Sequence, residues 1–219
     1  TCYEKCNEVF PKDKIHMLGN PRATIAKEAK FDEEYFKSLG LDLEKKTILI
    51  VMGSLGSSSV NELMKSALKG VDDNLQFLYV CGKDNSQDLN LFENQKNIHV
   101  VPYVDTLRIY GHVDGMVCRA GATTLAEVTA LGIPSIVIPS PYVANNHQFY
   151  NASMLLRQQA CRIIEEKDLN AETLQGQIVS LYANPIVYEQ THEHALQMGK
   201  PNAAYDIIDL LKNICKKGN

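Results

Sequence analysis

The stretch 119-RAGATTLAEVTALG-132 leaves an apolar run at Arg119, breaks at Gly121 and then takes up a helical pattern. A strand that ends in glycine and small polar residues and turns directly into a helix is the repeating unit of an α/β domain. Thr124-x-x-Glu127 matches a capping box, with Thr124 as N-cap and Glu127 at the third helical position, and the local pattern alone favours that reading. The same geometry places Glu127 in the first helical turn at the edge of a sheet, where an acidic side chain can accept both hydroxyls of a ribose. Arg119 has two readings of its own: it contacts a phosphate, or it clamps neighbouring carbonyls.

The flanking sequence repeats the unit. Apolar strand-like runs occur at 15-IHMLG-19, 47-TILIVMG-53, 75-LQFLYVCG-82, 97-NIHVVPYV-104, 113-VDGMVCR-119, 134-PSIVIPSP-141 and 161-CRIIEE-166. Helical patterns lie between them at 59–71, 105–112, 123–132, 147–159 and 170–183. Strands that are apolar throughout, rather than alternating, are buried on both faces, which points to a parallel sheet covered by helices. The expected fold is therefore α/β, a Rossmann-like doubly wound parallel sheet spanning residues 20–200. Residues 21–46 read as a polar connector with one modest helix at 31–40. After Gly199 and Pro201 comes a last helix, 202–215, with an apolar stripe at Ala204, Ile207, Ile208 and Leu211.

Composition excludes several function classes. The 219 residues are 45% apolar and 22% charged, as in an ordinary globular chain. A net charge of −4 gives a nucleic-acid surface no electrostatic footing. The six cysteines are scattered without a Cys-x-x-Cys, which argues for a reducing cytosol rather than a disulfide framework. His192 and His194 fall on opposite sides of a helix and no zinc-ligand spacing occurs, so no metal site is expected. No apolar run reaches the roughly 18 residues of a membrane span. The chain begins at Thr1, and TCYEKCNEVF reads as the middle of something longer.

In open parallel sheets ligands bind beyond the carboxyl ends of the strands. Here those ends carry glycine and small polar residues. In 53-GSLGSSS-59 the exposed N–H groups of a helix start suit a phosphate, although the turn is neither G-x-G-x-x-G nor a P-loop, and an ordinary serine-capped turn is the competing reading. In 139-PSPYVANNHQ-148 the run Asn145, Asn146, His147 and Gln148 offers paired donors and acceptors suited to sugar hydroxyls. In 19-GNPR-22 Arg22 either points across a cleft at an anion or is a surface side chain. In 102-PYVDTL-107, Tyr103 and Val104 follow a strand and either pack on a flat base or belong to the core.

Taken in order, these segments resemble the donor-binding half of the MurG family, the membrane-associated N-acetylglucosaminyltransferases of peptidoglycan synthesis, which have a two-domain GT-B fold. The resemblance is carried by CRAGATTLAEVTALGIPSIVIPSPYVANNHQFYNA (118–152), supported by GNPR, the serine-glycine turn and the terminal helix. It implies an inverting transfer of GlcNAc from UDP-GlcNAc to lipid I, giving lipid II, at the cytoplasmic face of the cell membrane, with no cofactor. Glu127 would accept the ribose hydroxyls, while Ala122, Thr123 and Thr124 present a helix N-terminus to the diphosphate. Ser54 would contact phosphate, Val104 would hold uracil through its backbone beside Tyr103, His147 and Gln148 would read the GlcNAc hydroxyls, and Arg22 would approach the diphosphate. Met52 stands where the family commonly has glycine, Arg22 follows Pro21 directly, and His147 occupies the first of two glutamine positions. The resemblance further implies that residues 1–19 end an acceptor domain carrying the general base, that 201–219 return to it, and that this chain binds the donor without transferring it. Two other readings share the features: a donor-binding subunit served by a separate acceptor chain, and a UDP-GlcNAc 2-epimerase.

Overall fold

The computed structural model describes residues 1–2, 10–53, 58–69, 74–83, 92 and 95–217. Its strands are β1 (Lys46–Val51), β2 (Leu75–Val80), β3 (Ile98–Val101), β4 (Gly115–Cys118), β5 (Ser135–Val137) and β6 (Arg162–Ile163). They form one six-stranded sheet in the order β3-β2-β1-β4-β5-β6, with every pairing parallel. This is the doubly wound arrangement expected from the apolar runs, and β1 and β4 flank the point where the strand order reverses.

Alternation within one strand explains why the runs are apolar throughout. Ile48, Ile50 and Met52 point into one hydrophobic core, whereas Leu49 points into the other. The first core is closed by α3 (Ser58–Ala67) and α7 (Ala171–Tyr182) through Val60, Met64, Leu174 and Ile178. The second is closed by α1 (Arg22–Glu28), α2 (Glu33–Ser38), α4 (Thr106–Ile109), α5 (Ala122–Leu131), α6 (His147–Arg157) and α8 (Pro185–Met198). Ala26, Phe36, Ile109, Leu125, Leu155 and Ala195 are their buried contributions. With both faces covered, the central strands are mostly apolar, and two polar side chains they do carry, Thr47 and Gln76, are buried and joined by a hydrogen bond of 2.9 Å. The last helix, α9 (Ala203–Lys217), lies against α1.

Four local expectations differ from the structure. Residues 15–19 form no strand: the Thr1 ammonium donates to the His16 carbonyl at 2.7 Å and Gly19 N–H to the Thr1 carbonyl at 3.2 Å, so the segment is satisfied away from the sheet. The connector holds α1 as well as α2, with Pro21 immediately before the first turn, where its missing N–H costs nothing. The helix that carries His192 and His194, for which the pattern set no bounds, is α8, started by Pro185 with the Asn184 side chain accepting from Ile186 and Val187 N–H. Finally, α5 starts at Ala122 with Gly121 as its N-cap and no side-chain cap bond. Thr124 is thus the third helical residue, Glu127 lies in the second turn, and the capping box does not form.

The far end of α5 is fixed by Gly132, which caps it with φ +68°. That conformation suits glycine, and a Cβ there would also meet Leu196 of α8 at 2.5 Å.

Candidate functional site at the switch point

A cavity of about 330 Å³ opens at the carboxyl ends of β1, β4 and β5, lined by Gly53, Arg119, Gly121, Thr124, Ser140 and Gln148 among others. Gly53 leaves β1 with φ +93° and nothing within 4 Å of where a Cβ would sit. Met52 turns its side chain back into the core. Ser54 lies outside the described residues.

The first turn of α5 faces this region. Among the described residues the N–H groups of Thr123 and Thr124 have no protein acceptor. A helix start with unpaired N–H groups carries positive potential and favours an anion. The glycine turn leading into it is held by α6. Gln148 Oε1 accepts from Ala120 N–H at 3.2 Å and from Ser140 N–H at 2.9 Å, and Asn151 Nδ2 donates to the Ala120 carbonyl at 3.1 Å. Two backbone donors fix the oxygen end of the Gln148 amide, which lines the cavity, and its NH₂ has no protein acceptor among the described residues.

The neighbouring asparagines have a different task. Asn145 and Asn146 sit at φ +55° and +49°, a left-handed turn that asparagine tolerates better than most residues. Whatever their side chains contact, their backbone shapes the loop. His147 is exposed, and its Nδ1 lies 3.0 Å from the Ala144 carbonyl. Nδ1 must carry the proton in that contact, which leaves Nε2 as an outward acceptor. His147 does not line the cavity, and Gln148 does.

One turn along α5, Glu127 is buried and engaged twice. Arg22 Nε donates to its Oε1 in an ion pair, and the Tyr110 hydroxyl donates to its Oε2 at 2.6 Å. The carboxylate, first through the hydrogen bond it accepts from Arg22, raises the Arg22 pKa. Burial, and then the Glu127 charge, pushes the Tyr110 phenol well above its usual range. Sequence reasoning missed Tyr110 and Asn151. Tyr110 falls within the 105–112 helical pattern, and only the fold brings it to Glu127.

Arg119 takes the carbonyl-clamp reading. Its Nη1 donates to the Ile138 carbonyl at 3.2 Å and pairs with Glu166 Oε2 at 2.7 Å.

Beyond β3, the Val104 side chain is buried in the second core. Its N–H and C=O have no protein partner among the described residues. The loop is pinned on the far side by Asp105, whose N–H donates to the Tyr35 hydroxyl at 3.0 Å and whose carboxylate accepts from Leu107 N–H at 3.3 Å. Tyr103 is 59% exposed, with Lys83 Nζ 4.7 Å from its ring centre. Among the described residues no cluster of three or more His, Cys, Asp or Glu could hold a metal ion, and no helix is long and apolar enough to cross a membrane.

Residues 47–211 match the glycosyltransferase family 28 C-terminal domain. The chain is 37% identical to the UDP-N-acetylglucosamine--N-acetylmuramyl-(pentapeptide) pyrophosphoryl-undecaprenol N-acetylglucosamine transferase of Bacillus cytotoxicus, over 99% of this chain and 61% of that protein. It is 39% identical to the transferase of that name from Caldanaerobacter subterraneus, over 97% of this chain and 60% of that protein. It therefore spans about three fifths of the length of the curated relatives it matches. Among solved structures, MurG of Acinetobacter baumannii superposes with a TM-score of 0.72 at 28% identity, covering 86% of this chain and 55% of that one. A UDP-N-acetylglucosamine 2-epimerase superposes with a TM-score of 0.66 at 15% identity, covering 94% and 53%, a likeness of fold alone.

Proposed function

The chain belongs to glycosyltransferase family 28 through its C-terminal domain, and from that premise we propose that it is the UDP-GlcNAc-binding half of an N-acetylglucosaminyltransferase acting on the lipid-linked muramoyl-pentapeptide acceptor, lipid I. The observation that carries the reading is the switch-point cavity, lined by Thr124 in the first turn of α5, whose N–H has no protein acceptor, and by Gln148, whose amide oxygen is held by two backbone N–H groups.

The diphosphate lies at the start of α5, against Ala122, Thr123 and Thr124, and Ser54 contacts phosphate as the family resemblance implies. Glu127 accepts the ribose hydroxyls, and a carboxylate with one partner on each oxygen retains lone pairs for them. Uracil pairs its imide edge with the N–H and C=O of Val104, beside the exposed ring of Tyr103. The Gln148 amide donates to the GlcNAc hydroxyls, and His147 offers Nε2 as an acceptor from the rim. In the transfer, the acceptor hydroxyl attacks the anomeric carbon with inversion and the glycosidic oxygen leaves with UDP. The helix N-terminus and Arg22 stabilise the charge that develops on the diphosphate, an electrostatic contribution present before the reaction begins.

In this reading residues 20–200 form the donor domain. The acceptor surface and the general base belong to the share of the relatives' length that these residues do not span. Residues 1–19 and 201–219 connect to it, and the whole enzyme works peripherally at the cytoplasmic face of the membrane.

Calorimetric titration with UDP-GlcNAc, UDP-GalNAc and UDP tests the binding role. Binding of UDP and UDP-GlcNAc is expected, with a loss of about 10- to 100-fold on Glu127→Ala. No UDP binding, or none lost in Glu127→Ala, refutes the donor site. A radiolabel assay with a lipid I analogue is expected to show no transfer by this chain alone. Turnover would refute the division of labour.

A further inference from the structure

The two partners of the Glu127 carboxylate sit at different depths. Tyr110 is buried in the second core. The Glu127 side chain is 7% exposed, and the Arg22 side chain that pairs with it is 36% exposed. Tyr110 thus holds Oε2 from the protein side, and Arg22 covers Oε1 on the side toward solvent. A ligand arriving from solvent meets Arg22 first. We infer that Glu127 is a preset receptor for a vicinal diol, in which Tyr110 is a positioning residue and Arg22 a placeholder that gives up the carboxylate when the diol binds. The inference rests on the donor-site reading above and adds how that site is held before the nucleotide arrives.

Each partner suits its part. A buried carboxylate without a partner is strongly destabilising, so some cation or donor must occupy Glu127 in the empty protein. The Tyr110 phenol is held protonated by its surroundings and so remains a donor throughout the working pH range. It fixes one oxygen, and with it the plane of the carboxylate, independently of ligand. Arg22 can leave without moving its helix. Ala23 and Ala26 of α1 are buried, and the Thr24 hydroxyl accepts from Ala204 N–H at 3.0 Å, so the backbone stays docked while the side chain changes rotamer. A destination for the guanidinium is close by. Asn20, which accepts from Arg22 N–H at 2.9 Å, reaches Thr123 Oγ1 at 3.5 Å. Thr123 precedes Glu127 by one helical turn, about 6 Å along the axis. The exchange moves the positive charge from a carboxylate to a diphosphate, and the ribose hydroxyls replace it at Oε1. Two parts of one ligand are thereby coupled: the diol displaces Arg22, and the diphosphate receives it.

Titration of the 219-residue chain with UDP, uridine and 2′-deoxyuridine, weak ligands being measured by competition with UDP, tests the exchange. Arg22→Ala is expected to tighten uridine, which no longer competes with the guanidinium, by about fivefold, while UDP loses its phosphate partner, so the UDP-to-uridine affinity ratio falls by about tenfold or more. Tyr110→Phe is expected to weaken uridine about fivefold and leave 2′-deoxyuridine within about twofold. A purely structural tyrosine would shift both nucleosides alike, and that result overturns its positioning role. Arg22→Ala weakening uridine and UDP by one common factor, or changing neither, overturns the placeholder. Arg22→Gln repeats the test if the alanine variant does not melt cooperatively. If the wild-type chain binds no UDP, the donor-site reading itself fails and this inference with it. If it binds UDP and the variants show no selective effect, only the inference fails.

Discussion

Tyr182 of α7 lies directly beneath Gly115 of β4, and its hydroxyl sits 3.2 Å from both the Met116 and the Pro134 carbonyls. A Cβ on Gly115 would overlap the tyrosine ring, so the glycine is there because the aromatic ring comes so close to the strand. Gly115→Ala must push a fully packed side chain out of place, at a cost of about 1–3 kcal/mol. Tyr182→Phe loses only the hydrogen bond, about 1 kcal/mol. In a chain of this length each kcal/mol moves the melting temperature by roughly 2–4 °C. Thermal unfolding followed by circular dichroism is expected to rank wild type above Tyr182→Phe and Tyr182→Phe above Gly115→Ala. A Gly115→Ala melt equal to wild type would show that the ring yields freely.

A second prediction concerns pH. His99, on β3, is half-buried, and desolvation first, then the nearby Lys45 charge, lowers its pKa below the ordinary value of 6.5. Its folded pKa being lower, the unfolded chain takes up the proton first as pH falls. The neutral imidazole therefore contributes stability that is present above the unfolded value and lost as pH falls through the folded one. Urea midpoints at pH 7.5 and pH 5 are the measurement. Wild type is expected to lose more between the two than His99→Gln, and equal losses would show that His99 titrates alike folded and unfolded.

The sheet was legible because burial on both faces leaves a mark that survives in a single sequence. β1 and β2 each read as a mostly apolar run without alternation since Ile48 and Leu49, or Phe77 and Leu78, enter opposite cores. The strand order was not legible, because crossovers leave no trace in the runs they connect. At the site, what depended on local chemistry was read in part and what depended on distant contacts was not. Thr124-x-x-Glu127 fits a capping box, yet the cap is Gly121. Glu127 is claimed by residues 105 and 17 positions away, which no local pattern records. Asn145 and Asn146 take a left-handed turn, and the sequence did not show it because asparagine serves equally as a hydrogen-bonding side chain and as a left-handed turn residue. The weight of the family signature lay in the whole 118–152 stretch, which pattern reading takes one turn at a time.

The cysteines give a third prediction. Cys118 and Cys161 are buried. Desolvation raises the Cys118 thiol far above its usual range and brings Cys161 to about 12. Cys215 on α9 is exposed. Because the thiolate is the reactive form, a thiol reagent at pH 8 is expected to modify Cys215 quickly in the native protein and to reach Cys118 and Cys161 only on unfolding. Peptide mass spectrometry reads the order. Native-state modification of Cys118 as fast as Cys215 would mean that the second core opens far more readily than its packing indicates.

The last prediction separates structure from ligand binding at the cavity wall. The Arg119 and Glu166 side chains are only 11% and 13% exposed and pair at 2.7 Å. Arg119 also holds the Ile138 carbonyl just beyond β5. Removing one partner strands the other charge, so Arg119→Ala and Glu166→Ala are each expected to cost about 3–5 kcal/mol. The double replacement Arg119→Met, Glu166→Leu removes both charges and keeps most of the volume, and it is expected to recover the greater part of that loss. Chemical denaturation of the single and double variants measures the coupling. Were Arg119 a phosphate ligand whose pairing with Glu166 is incidental, the single losses would be small and additive, and Arg119→Ala would weaken UDP without lowering stability. The clamp predicts the opposite, since an arginine already satisfied by a carboxylate and a carbonyl has little charge left for a ligand.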